Sequence, residues 1–316
     1  MQFINEKAIE SYVKNVTLKQ MLIIPSILLI LSLSILGYTY YKTGSPVELG
    51  MDFKGGTAVI FDSPKTPDQL KADFAAYPGV EVREYSAGNR KIMEFSPMSA
   101  SLKDQLIKQV DNETTNPGTV QITDTGAQFG QSLQYQAVRA MIIAFIFMAV
   151  VIFIIYRTFV PSIAVVVSAF ADITFAAAMT DVFGILLSLG TVAALLMLIG
   201  YSVDTDILLT TRLLRRKGEL NDKLRDAMIT GLTMTSTALA ALFAMFVVSS
   251  GIVISFTRID IIRDISIVLI FGLIADMINT WMTNAGILRW YAGKIQHVEK
   301  RVEKRVEKLR KKRRKA

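Results

Sequence analysis

From about Leu18 to Tyr41 the chain is apolar with hardly a charge, after a short polar start. Roughly 95 mostly polar residues follow, and then five more apolar runs. These lie at about Ala137–Tyr156, Val160–Thr180, Gly184–Thr210, Ala227–Ser250 and Ile261–Arg289. A helix rises about 1.5 Å per residue, so about 20 residues cross a hydrocarbon core of about 30 Å. Each run meets that length, and the last is long enough to tilt or to extend past the membrane. The first run is too long for a signal peptide's hydrophobic region and lacks a small-residue cleavage site, so it reads as a retained helix. The pattern predicts an α-helical polytopic membrane protein with six transmembrane helices.

Between the first and second runs the periodicity changes. Thr57–Phe61 is β-branched and apolar, Val80–Tyr85 and Lys91–Phe95 alternate, and Thr119–Thr123 is a last short strand. Thr66–Tyr77 opens on Pro67-Asp68 and spaces Leu70, Phe74 and Tyr77 as a helix does. Ser99–Asn112 does the same with Leu102, Leu106, Ile107 and Val110, and Asn116-Pro117-Gly118 breaks it. Ala87-Gly88-Asn89 marks a turn. The order βαββαβ predicts an α+β, ferredoxin-like domain. It holds no histidine, nucleophile elbow or phosphate loop, so it reads as a binding or docking domain rather than a catalytic one.

Charge fixes the orientation. Lys7, Lys14 and Lys19, then Arg157, then Arg212, Arg215, Arg216, Lys217, Lys223 and Arg225, then the C-terminal tail, all fall to one side. The other side takes the net-acidic segment and the turns near Asp181 and Arg258–Asp260. By the positive-inside rule both termini are cytoplasmic and the α+β domain is extracytoplasmic, in the cell membrane. The expected division is 1–17 cytoplasmic, 18–41 first span, 42–136 extracytoplasmic domain, 137–290 five-helix bundle and 291–316 basic cytoplasmic tail. Tyr38, Tyr40 and Tyr41 at one interface, with Trp290 and Tyr291 at the other, fit aromatic belts.

The net charge of +8 is concentrated: residues 294–316 carry +9. Specific nucleic-acid binding is therefore not expected of the body. The tail repeats Val-Glu-Lys-Arg from Val298 and ends uniformly basic at Arg310–Lys315. It reads as a topology anchor, or as a stripe drawn to anionic lipid at about 1 kcal/mol per basic residue near the surface. The absence of cysteine excludes disulfides, thiol nucleophiles and Cys-ligated metals. With His297 the lone histidine, no metal site, cofactor or catalytic residue is expected.

Acids inside the spans are the candidate chemistry. Asp204 lies about 12 Å inward of Arg212, near the midplane, and Asp206 is shallower. At about 100° per residue their side chains diverge by roughly 200° and cannot both face one cavity. Asp172 lies about 16 Å along the third span from Pro161. Asp276 lies about 20 Å from Arg289 in the sixth, with Asn279 on the same face. A carboxylate at such depth costs roughly 2.5–3.5 kcal/mol. The fifth span supplies hydroxyls at Thr230, Thr233, Thr235, Ser236 and Thr237 that can hydrogen-bond across a helix interface. One buried acid is as readily a packing element as a functional one. Several at matched depth, with no basic residue in any span core, favour an ion or proton pathway.

Two motifs carry a resemblance. Gly50-Met51-Asp52-Phe53-Lys54-Gly55-Gly56-Thr57 stands just beyond the first span, and on spacing alone it could be a connector. Gly200-Tyr201-Ser202-Val203-Asp204-Thr205-Asp206, running on to Arg212, lies in the fourth. The first resembles the Gly-x-Asp-Phe-x-Gly-Gly-Thr signature of SecD/SecF protein-export membrane proteins, and the second resembles their fourth-span signature, archaeal type. Gly126 and Gly130 look like the glycine pair before the second span. The six-span layout resembles half of an RND-superfamily bundle, and the likeness covers about residues 18–290.

The resemblance implies an accessory subunit of the Sec protein translocase. It implies a SecD-like partner, association with the SecY translocon, unfolded preprotein as cargo, and use of the proton motive force. Asp204 matches the position of the SecD-type aspartate. Bacterial SecF-type chains carry Asn-Asp where this one has Asp204-Thr205, and an arginine in the fifth span where Leu232–Ser236 has none. A small-molecule RND-type exporter subunit and a non-transporting scaffold of the translocon remain the other readings of the same topology.

Overall fold

The computed structural model describes residues 6–84, 89–216, 218–250 and 260–294. Helix α1 (Glu6–Asn15) precedes the long α2 (Leu18–Thr43), which begins at a Thr17–Gln20 capping box and ends at Gly44 in a left-handed conformation. One turn, α3 (Met51–Lys54), leads into β1 (Gly56–Asp62), α4 (Pro67–Asp73), β2 (Glu81–Glu84), β3 (Arg90–Phe95), α5 (Ala100–Glu113) and β4 (Gln121–Thr125). Five helices complete the bundle: α6 (Ala127–Tyr156), α7 (Phe159–Val182), α8 (Leu189–Arg215), α9 (Leu220–Ser249) and α10 (Asp260–Ile278). The last passes directly into a π-helical turn, Asn279–Asn284, and on as α-helix through 285–294.

The four strands form one antiparallel sheet in the order β2-β3-β1-β4. Each βαβ connection therefore skips a strand. Both helices cover one face, where Val59, Phe61, Met93 and Phe95 alternate inward onto Leu70, Phe74, Leu106 and Val110. Burial of each such side chain contributes about 1.5–3 kcal/mol. Pro67 stands in the first turn of α4, and a Thr66–Gln69 capping box closes its start, as the sequence pattern requires. In the expected turn at Ala87-Gly88-Asn89, the first two residues lie outside the described ones.

Among the described residues, α2, α6, α7, α8 and α9 are long and apolar enough to cross a membrane. The sixth apolar run is less uniform, because α10 carries Arg263, Asp264 and Asp276. Helices α7 and α8 are the more buried of these, and α2, α6 and α9 expose broad apolar faces. Small residues let the central helices close up. Ala164, Ala169 and Ala176 are buried along α7, and a side chain at Gly272 of α10 would run into Leu198 of α8.

Two elements extend beyond the apolar pattern. Helix α6 starts ten residues before Ala137, through the polar stretch from Gln128 to Gln136. Helix α1 falls in a segment read simply as a polar terminus. It buries Ile9 and Val13 against Leu224, Ala227 and Met228 of α9. His297, the turn residues Arg258 and Ile259, Lys217 and the basic tail lie outside the described residues.

Candidate functional site: an acid cluster in the helix bundle

Helices α7, α8 and α10 bring three carboxyl groups together, with Asp172, Asp206 and Asp276 each completely buried. Asp172 accepts two short hydrogen bonds, from Ser202 Oγ and Asn279 Nδ2, both at 2.6 Å. Asp206 Oδ1 accepts from Asn284 Nδ2 at 2.7 Å. Thr280 Oγ1 lies 2.9 Å from Asp206 Oδ1 and 2.9 Å from Asp276 Oδ1. A hydroxyl carries one proton, so Thr280 donates to one carboxylate at a time. The second contact is a hydrogen bond only when that carboxyl brings its own proton.

The π turn arranges these donors. Asp276, Thr280 and Asn284 follow at intervals of four, and the wider turn keeps Asn279, Thr280 and Asn284 all facing inward. Trp281 of the same turn packs on α9 at Gly231, where any side chain would meet its ring. The Trp281 carbonyl accepts from Tyr12 Oη of α1 at 2.9 Å. Burial of the Tyr12 phenol, at the end of the bundle outside the spans, pushes its pKa up.

Among the described residues the hydrogen-bond partners of the three carboxyls are hydroxyls and amides, with no Lys, Arg or His. Asp206 Oδ2, Asp276 Oδ2 and Asn284 Oδ1 are buried without a hydrogen-bond partner there. No group of three or more His, Asp or Glu among the described residues is arranged to hold a metal ion. The cluster is thus a set of buried oxygens served by neutral donors, able to accept a proton.

Of the two fourth-span acids, the helix turns Asp206 inward and Asp204 outward, as their angular separation requires. Asp204 shares its exposed stripe with Met197, Gly200 and Tyr201. Ser202 joins the cluster through Asp172. Arg212 instead donates to the Asp226 carbonyl at 2.6 Å and to Thr230 Oγ1 at 2.8 Å, tying α8 to the start of α9. Thr235 is buried. Thr233 and Thr237 are exposed and bond carbonyls of their own helix, from Ile229 and Met234. Thr280 and Asn284 are the functional candidates that sequence reasoning missed. Their four-residue spacing from Asp276 inside an apolar run was the available signal.

The first motif has a different setting. Asp52 Oδ2 accepts the Leu189 N–H at the start of α8, 2.9 Å away. Gly50 N–H donates to the Leu187 carbonyl at 2.8 Å. Phe53 is buried, Gly55 packs on the start of α6, and Gly56 and Thr57 open β1. None of these residues contacts the acid cluster directly.

Comparison with known proteins agrees with this architecture. Residues 104–294 match the family model described as protein export membrane protein SecD/SecF, C-terminal. The chain is 48% identical over 277 residues to the protein-export membrane protein SecF of Methanolacinia petrolearia, covering 87% of this chain and 94% of that one. It is 40% identical over 275 residues to the SecF of Haloferax volcanii, covering 87% and 93%. The crystal structure of SecDF, a translocon-associated membrane protein from Thermus thermophilus, superposes with a TM-score of 0.71 at 18% identity. That match covers 88% of this chain but spans only 39% of the SecDF chain. The chain belongs to the SecD/SecF family of protein-export membrane proteins.

Proposed function

We propose that the chain is an accessory subunit of the Sec protein-export machinery that works with a SecD-like partner. The identity to SecF proteins over most of the chain carries this reading. In it, α10, the π turn and the helix after it make a sixth span, and the four-stranded unit is a ferredoxin-like extracytoplasmic domain that holds or steers unfolded preprotein near SecY. Both termini are cytoplasmic, and the basic tail meets anionic lipid.

Ion coupling runs through Asp172, Asp206 and Asp276, with Ser202, Asn279, Thr280 and Asn284 as their donors. The observation supporting it is three buried carboxyls whose hydrogen-bond partners among the described residues are all neutral, two of them sharing one hydroxyl. Taking up or losing a proton at the Asp206–Thr280–Asp276 unit changes which hydrogen bonds can form between α8 and the π turn. Each charge moved through 100 mV is worth about 2.3 kcal/mol, enough to bias such a change.

Pulse-labelling of secreted proteins in depleted cells tests the export role; unchanged export kinetics would sink it. Complementation with Asp206→Asn, Asp276→Asn and Thr280→Val tests the coupling. The expected result is normal assembly with loss of the part of export that responds to graded uncoupler. Wild-type response in all three variants would make the acids packing elements and refute the coupling.

A further inference from the structure

We propose that Asp52 and the segment around it form a stiff joint that carries displacement of the sheet unit to α8, with Asp52 as its positioning residue. The segment is held from several sides. Leu187 N–H donates to the Glu48 carbonyl at 2.8 Å, Gly50 N–H returns a bond to the Leu187 carbonyl at 2.8 Å, and Glu48 N–H donates to Asp181 Oδ1 of α7 at 2.9 Å. On the α6 side, Gln134 Nε2 donates to the Phe53 carbonyl at 2.8 Å. A Cβ at Gly130 would stand 2.8 Å from that same carbonyl, so the two backbones touch.

The joint continues into the sheet without slack. Gly55 and Gly56 have φ of +73° and +136°, and β1 begins at Gly56 with hydrogen-bonded neighbours on both edges. At the other end, Ser188 and Thr191 form a capping box at the start of α8, and Asp52 takes the neighbouring Leu189 N–H. A carboxylate there also faces the positive end of the helix dipole. Asp206 lies on the same helix, about 25 Å farther along at the α-helical rise. Its partners Thr280 and Asn284 belong to the π turn, and Ser202 of α8 bonds Asp172 of α7. Movement of α8 relative to α7 and α10 therefore acts on the contacts of the acid cluster. The geometry of the joint stands alone, and its effect on export rests on the ion-coupled reading above.

The chain lacks cysteine, so spin labels can be placed directly in the full protein with its partner. Lys71→Cys on α4 and Arg216→Cys at the end of α8 are exposed sites that bracket the joint. Lys71→Cys with Lys108→Cys on α5 is the control pair within the sheet unit. Asp52→Ala is expected to abolish the narrow distance distribution across the joint and leave the control pair narrow. Asp52→Asn, which keeps an acceptor oxygen, restores it. In cells, Asp52→Ala is expected to lose gradient-dependent export at normal membrane level and normal partner co-purification. Asp52→Ser, too short to reach Leu189, replaces it if Asp52→Ala does not accumulate. A distribution unchanged across the joint overturns the joint whatever the acids do. A broadened one with gradient-dependent export intact, while Asp206→Asn abolishes it, overturns the transmitting role alone. If Asp206→Asn, Asp276→Asn and Thr280→Val all leave the gradient response intact as well, the ion-coupled reading and transmission through the acids fail together, and the distance arm still decides the joint.

Discussion

Single residues here are governed by how many protons are available to share. Thr280 has one, and Asp206 and Asp276 both reach for it. The sequence alone located all three acids of the cluster, because a carboxyl in an apolar run is conspicuous. It weighted Asp204 for depth, whereas membership is decided by direction, and one helix cannot turn both Asp204 and Asp206 inward. Thr280 and Asn284 escaped notice because hydroxyls and amides are common in such helices and gain meaning only beside a carboxyl on another helix. Proton sharing also shapes the sheet unit. Burial raises the pKa of Glu94, with Arg83 acting against it and Glu81 adding to it. The folded state then holds the proton more tightly than the unfolded one. Stability at β3 is expected to fall as pH rises from the ordinary glutamate range, about 4.3, toward the raised value. Amide protection of β3, corrected for intrinsic exchange, should show this slope in the full chain and lose it in Glu94→Gln.

Elements were legible where one period ran unbroken. All four strands and both helices of the sheet unit were anticipated, with boundaries shifted by a few residues. Helix α6 was under-read because its first ten residues are polar and gain nothing from a hydrophobicity count. Helix α1 was missed although Ile9, Tyr12, Val13 and Val16 stand at helical spacing, since ten residues are marginal as an isolated helix. Its stability must come from docking. Ile9→Ala combined with Val13→Ala is expected to cost about 2 kcal/mol or more. Trypsin cleavage after Lys14 should accelerate in the double variant, and an unchanged rate would mean that α1 does not depend on this contact. The π turn was invisible to the pattern, because the apolar run continues through it and hydrophobicity alone does not show the extra residue in the turn.

Over the whole molecule, the exposed stripe on α8 is out of balance with its surroundings. It sets the Asp204 carboxyl among Met197, Gly200 and Tyr201 on an outer face of the bundle. A carboxylate left against hydrocarbon costs roughly 2.5–3.5 kcal/mol, so this face is better covered by protein than by lipid. A photoreactive label at Tyr201 is expected to capture a second multi-span protein, and capture of lipid alone would refute a partner on this stripe. The expected orientation rests on charge counts that no single element contains, and the packing order of the helices could not be read in the same way, because apolar runs of similar composition are interchangeable on paper. The contact between Tyr12 and Trp281 joins residues 269 positions apart. At about 5–20 residues per second, the ribosome needs roughly 13–54 s to deliver the second after the first. Helix α1 is therefore made long before its seat is complete. Through that interval the apolar face of Ile9 and Val13 waits for its partners, and closure of the Tyr12–Trp281 contact reports that the π turn has been delivered.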